Sequence, residues 1–180
     1  SSSRDGGGMR NKEATVIVSN CTFYNNVNGN YSGGAAMYNE EAWVTVQNCL
    51  FLENDGSYGA GIRNVNSWTT ISGCAFENNT GPALRSSDGE TIVSDCTFDG
   101  NSGGAITNLG SGEMTIVDCQ FYRNTDGRHG AGLYNSGIAT VTRCVFVSNS
   151  VEDFGGAVYT SGFATFKECL FRENSADNWG

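Results

Sequence analysis

Seven cysteines, each opening the pattern C-x-F-x-x-N, recur through the 180 residues at separations of 28, 25, 22, 23, 25 and 25. The cysteines are Cys21, Cys49, Cys74, Cys96, Cys119, Cys144 and Cys169; the Phe members are Phe23, Phe51, Phe76, Phe98, Phe121, Phe146 and Phe171; the Asn members are Asn26, Asn54, Asn79, Asn101, Asn124, Asn149 and Asn174. A fixed period in this range marks a chain built from stacked copies of one small unit, so the repeat constrains the fold before any local propensity does.

Within the repeat, Val18, Val46, Ile71, Val93, Ile116, Val141 or Phe166 stands three residues before each Cys, with Val, Thr, Met or Ala two residues earlier. That alternation is the signature of a strand. A second strand follows each Gly-rich corner: GAAM at 34–37, GAGI at 59–62, GPAL at 81–84, GGAI at 103–106, GAGL at 130–133 and GGAV at 155–158. Short strands at this period with no helix between them cannot form βαβ units. They predict an all-β, right-handed parallel β-helix: a solenoid of about seven coils of 22–28 residues, with equivalent residues stacked roughly 4.8 Å apart. Phe and aliphatic ladders fill its interior, and inward Asn residues pair their amides between coils. Composition agrees, since 25 Gly and 20 Asn suit turns and left-handed corners, while ten Phe and seven Tyr are too many for a disordered chain.

The two motifs F-x-x-N and GGA[I/L/V] resemble the polymorphic outer membrane protein repeat of the chlamydial (Pmp) type, also seen in adhesin-like β-helix proteins. F-x-x-N is matched in all seven coils and GGA[I/V] literally at 103–106 and 155–158, the other corners being conservative departures. The resemblance implies an extracellular or cell-surface, non-enzymatic solenoid: an adhesin shaft or surface-layer element that presents a ligand face. The alternative it implies is a carbohydrate-active, pectate-lyase-like lyase or hydrolase with catalytic coils outside this segment, because fold alone does not decide function.

Residues 1–180 read as one solenoid segment with both ends inside a repeat: Met9 precedes Cys21 by the interval that separates Met37 from Cys49, and the chain stops where a GGA corner is due. Continuation into a longer solenoid, or end-to-end self-association, is the expectation. The net charge of -9 disfavours nucleic acid. No apolar stretch is long enough for direct membrane insertion, and Ser1–Asp5 lacks a signal-peptide core.

Chemical candidates are few. Seven thiols in single file, pointing the same way, suit neither a zinc site nor disulfides, and read as buried free thiols. His129 lies in Asn124–Gly130, a segment that superficially resembles polygalacturonase elements, but these share one loop and no coil-to-coil carboxylate pair is evident. His129 therefore reads as a solvated loop residue. Asp95 and Asp118, directly before Cys96 and Cys119, form a surface charge file relieved by Arg143, not a calcium site. No metal or cofactor is expected. A Thr file (Thr45, Thr70, Thr115, Thr140, Thr165) carries a minor ice-binding alternative, against plain β-propensity. Sequons stand at Asn20, Asn30 and Asn78.

The row after each corner aliphatic is Arg10, Tyr38, Arg63, Arg85, Thr107, Tyr134 and Tyr159. Rich in residues favoured at recognition surfaces, it lies beside the corner that varies most in length. Tyr38, Arg63 and Arg85, extended by Tyr134 and Tyr159, are expected to form an outward strip for a glycan or cell-surface protein. Trp43 and Trp68, six residues before Cys49 and Cys74, are expected to stack and join the binding surface.

Overall fold

The computed structural model describes residues 7–29 and 33–178. The N-terminal Ser1–Asp5 and Gly6, the Asn30 sequon and Trp179–Gly180 lie outside the described residues. Among those described there is no helix, and every strand pair is parallel.

Each coil lays strands on three faces. The first face stacks the strands that follow the Gly-rich corners, from Met9–Lys12 and Met37–Glu40 to Val158–Thr160. The second stacks those before each Cys, from Thr15–Ser19 and Trp43–Gln47 to Phe163–Lys167. In the third and fourth coils the two faces merge, because Ile62–Ser72 and Leu84–Ser94 run unbroken through the bend. The third face holds the C-x-F strands, from Thr22–Tyr24 to Leu170–Arg172. A short three-stranded ladder, Thr125–Asp126, Ser150–Val151 and Ser175–Ala176, continues beyond it in the last coils.

Register follows the repeat. Phe98 pairs with Phe76 on one side and Phe121 on the other, and the seven Phe rings form one column with centroids 4.4–5.1 Å apart and planes within 5°. Beside it, each ladder Asn from Asn54 to Asn149 donates Nδ2 both to the next Asn Oδ1 and to a Phe carbonyl of the preceding coil, while its Oδ1 also accepts a backbone N–H. The buried amide cost is thus met rung by rung.

Two backbone features escaped the sequence reading. The residue before each Cys is not a plain surface row: from Asn20 to Glu168 it sits in the left-handed region, φ 52–61°, and so makes the corner between second and third faces. Asn, Asp and Gly reach that conformation most cheaply. Arg143 and Glu168 adopt it as well; Arg143 binds Asp118 of the coil below bidentately, at 2.8 and 2.7 Å, holding that carboxyl below its usual pKa range. At Gly155 (φ 63°) a Cβ would lie 2.2 Å from the Val158 carbonyl oxygen, so the corner there requires glycine.

The second feature is another amide ladder, two residues after the corner aliphatic. Asn11 donates to Asn39, Asn39 to Asn64, and Asn108 to Asn135, each at 2.8 Å. Ser86 interrupts it. Its hydroxyl pairs instead with Thr91, leaving Asn64 Nδ2 and Asn108 Oδ1 buried without partners. Thr69, in the inward row beside Thr91, also buries an unpartnered hydroxyl. Thr69→Val replaces that hydroxyl with a methyl of the same shape and is expected to raise stability by about 1 kcal/mol. A urea midpoint that rises checks this; a fall would mean that the hydroxyl is satisfied.

The seven thiols are free, Cys49 to Cys144 buried, Cys169 partly so and Cys21 exposed. Each buried Sγ faces the carbonyl two residues before it, at 3.1–3.3 Å. At Cys96 the Cys119 thiol pulls the pKa down while the Cys74 thiol and burial push it up, leaving it at about 12. Iodoacetamide on the folded chain is expected to label Cys21 quickly, Cys169 slowly and Cys49 to Cys144 not at all, with all seven labelled in urea. Rapid native labelling of Cys96, counted by mass spectrometry, would contradict the packing.

Candidate recognition face

The row Arg10, Tyr38, Arg63, Arg85, Thr107, Tyr134, Tyr159 is in register from coil to coil across the first face. Tyr38 corrects the expectation of an outward strip: it is only 2% exposed. The guanidinium groups of Arg10 and Arg63, one coil to either side, each stand 5.8 Å from its ring centroid and enclose it.

Tyr58, absent from the sequence reading of this face, arrives from the corner between Asn54 and Gly59 and inserts its ring between two more rungs, 5.2 Å from the Arg63 guanidinium and 4.6 Å from that of Arg85. The result is one column, Arg10–Tyr38–Arg63–Tyr58–Arg85, in which cations alternate with aromatic faces. Each such contact contributes about 0.5–1 kcal/mol when exposed and more when desolvated. Arg63 and Arg85 are half-buried. Burial, then the Arg63 charge, holds the Arg85 guanidinium below its ordinary pKa, and Arg85 Nε is buried without a hydrogen-bond partner.

The far end of the row is aromatic. Tyr134 and Tyr159 lie parallel, centroids 5.6 Å apart. His129 packs against Tyr159 at 4.7 Å and Tyr134 at 5.9 Å, with Phe154 tilted over it at 5.5 Å. His129 is therefore half-buried in an aromatic cluster rather than a solvated loop residue. Between the two ends Thr107 is the smallest side chain of the row. A groove of about 230 Å³ opens there, lined by Pro82, Arg85, Thr107, Leu109, Asp126, Arg128, His129 and Tyr134.

The tryptophans are elsewhere. Trp43 and Trp68 stack on the second face at 4.8 Å, 56% and 44% exposed, and do not meet the Arg/Tyr row. The Thr file runs beside them in register but is interrupted by Ile92, between Thr70 and Thr115.

Glu152 and Asp177, 25 residues apart, follow in register on adjacent coils, a carboxylate pair not evident in the sequence. Asp126, Glu152 and Asp177 line one open groove below the short three-stranded ladder. Asp126 is out of that register, since it pairs with Val151 rather than with Glu152. Among the described residues no three His, Cys, Asp or Glu side chains are grouped to hold a metal ion.

In comparison with known proteins, a family model described as a right-handed beta helix region matches residues 33–178. No curated protein and no solved structure matches the chain.

Proposed function

The chain belongs to the family of right-handed β-helix regions, and from that premise we propose that it is an extracellular, non-enzymatic solenoid of the adhesin or surface-layer kind that recognises a cell-surface glycan through its first face. The observation that carries this reading is the cation–aromatic column ending in a half-buried Arg85 with an unpartnered donor. In a protein of net charge -9, a face that gathers Arg10, Arg63, Arg85 and Arg128 beside Tyr134, Tyr159 and His129 stands apart. Aromatic faces suit sugar rings, and guanidinium forks suit their anionic groups. The Pmp-type likeness of the F-x-x-N and GGA repeats supports the same reading, as does the suitability of a stacked solenoid as a shaft.

The groove lined by Asp126, Glu152 and Asp177 favours a second reading, a carbohydrate-active hydrolase or lyase, because paired carboxylates are what glycoside cleavage needs. One experiment separates the two. The immobilised chain is expected to retain cells, to lose them after enzymatic deglycosylation of the cell surface, and to release no reducing or unsaturated ends from acidic polysaccharides. Release of such ends would establish the second reading, and retention that survives deglycosylation but not proteolysis of the cells would make the partner a protein.

A further inference from the structure

The first-face row has one missing rung. Six of its seven side chains are Arg or Tyr, and the seventh, Thr107, leaves a notch between Arg85 on one side and Tyr134 on the other. Two rungs span roughly 9.6 Å, twice the coil spacing. A ring placed midway would lie roughly 4.8 Å from each wall, within the 4.4–5.1 Å at which the Phe rings stack inside the solenoid. A pyranose chair, which projects C–H groups from both faces, fits that place against the Tyr134 ring on one side.

The notch also has a charge preference. Arg85 lines the notch, and because its Nε is already buried without a hydrogen-bond partner its guanidinium is short of acceptors, a cost that an anion docked on the group would offset. Burial and the neighbouring Arg63 charge already disfavour its cationic form, and an incoming anion would relieve both. Arg128 adds a second cation at the rim. Asp126 opposes it there, but its Oδ1 is engaged by the Arg128 backbone N–H at 2.8 Å. The free space, about 230 Å³, falls below the roughly 300 Å³ at which drug-sized pockets begin, so it admits one ring. Arg85 and Tyr134 close it along the solenoid axis, so a polymer cannot run through it lengthwise.

From these features we infer that the Thr107 notch is a socket for a single terminal pyranose bearing a carboxylate, its ring completing the stack between Arg85 and Tyr134 and its carboxylate on Arg85. This rests on the glycan reading above and narrows it to a ligand class and a place.

The test uses the full chain and calorimetry with N-acetylneuraminic acid and glucuronic acid, against the methyl ester of glucuronic acid and glucose as uncharged controls. Binding of at least one acid and at least tenfold weaker binding of the uncharged sugars are expected. Thr107→Tyr, which supplies the missing rung, is expected to fold with an unchanged melting temperature and to lose acid binding more than tenfold; Arg85→Lys, which keeps charge but not the fork, is expected to weaken it. Equal binding of acid and ester by the wild type would overturn the charge assignment without needing any variant. Undiminished acid binding by a folded Thr107→Tyr would overturn the socket. If the wild type holds cells through neutral glycans, and loses them on Arg63→Ser/Arg85→Ser but not on Thr107→Tyr, the socket is wrong and the recognition face stands. If it binds no glycan at all, both fall.

Discussion

Asn101→Leu is expected to cost at least about 3 kcal/mol, although it only exchanges a buried amide for a buried apolar side chain of similar size. Asn101 Nδ2 donates to the Phe76 carbonyl at 3.0 Å and to Asn124 Oδ1 at 2.9 Å, while its Oδ1 accepts from the backbone and side chain of Asn79 at 3.1 and 2.8 Å. Leu breaks all four bonds in a site with no access to water and leaves the Asn79 backbone N–H without its acceptor, although Asn124 Oδ1 keeps the residue-101 backbone N–H and Asn79 Nδ2 keeps the Phe51 carbonyl. An orphaned buried group carries a penalty of about 1–3 kcal/mol, and each further bond lost adds about 1 kcal/mol. Because the partners sit in both neighbouring coils, the loss spreads along the axis. Urea denaturation checks this, and an unchanged midpoint would show that the amides are not load-sharing partners in the folded chain.

Phe98→Ala is the second large effect, expected at about 3–5 kcal/mol. Its ring lies 4.7 Å from Phe76 and 5.1 Å from Phe121 in the middle of the column, and it is fully buried. In a solenoid each coil touches only its neighbours, so a cavity here weakens two interfaces at once. Hydrogen exchange should show protection lost first in the coils holding Cys74, Cys96 and Cys119. Phe171→Ala removes the same chemistry where the ring is 47% exposed, and its cost should be much smaller. Equal losses at the two positions would mean that the column is not the core.

The contrast between these two positions also explains what the sequence made legible. Side chains that repeat at a constant place in the coil, such as the Cys, Phe and F-x-x-N residues, announce their own ladder, because stacking requires the same residue type at the same register. The second amide ladder was nearly as visible: an Asn follows two residues after Met9, Met37, Ile62, Ile106 and Leu133. It was overlooked because Ser86 and Thr160 break the pattern and a polar residue on an alternating strand is first assumed to face water. The recognition face was only half legible. Its row could be aligned from the corner aliphatics, but the burial of Tyr38 depends on Arg10 and Arg63 turning toward it from other coils. Tyr58 comes from a corner of different length from its neighbours, whereas His129 and Phe154 stand 25 residues apart and pair across adjacent coils, a register that the repeat spacing did carry. The left-handed corner before each cysteine is hidden in a different way, since Asn, Asp, Gly, Arg and Glu share a backbone conformation there and not a side-chain chemistry.

The first face and the second offer different surfaces, a cation–aromatic column against stacked tryptophans beside a Thr file, so a side-by-side comparison of two double variants tests the central claim directly. Arg63→Ser/Arg85→Ser dismantles the column and uncovers one face of Tyr38 while leaving that residue in place, and Trp43→Ser/Trp68→Ser removes the exposed pair on the second face. With both variants shown to be folded by their melting curves, binding to a glycan array is measured for each against the parent chain. The expected result is loss of binding in the arginine variant and retention in the tryptophan variant; retention in the first and loss in the second would place recognition on the second face.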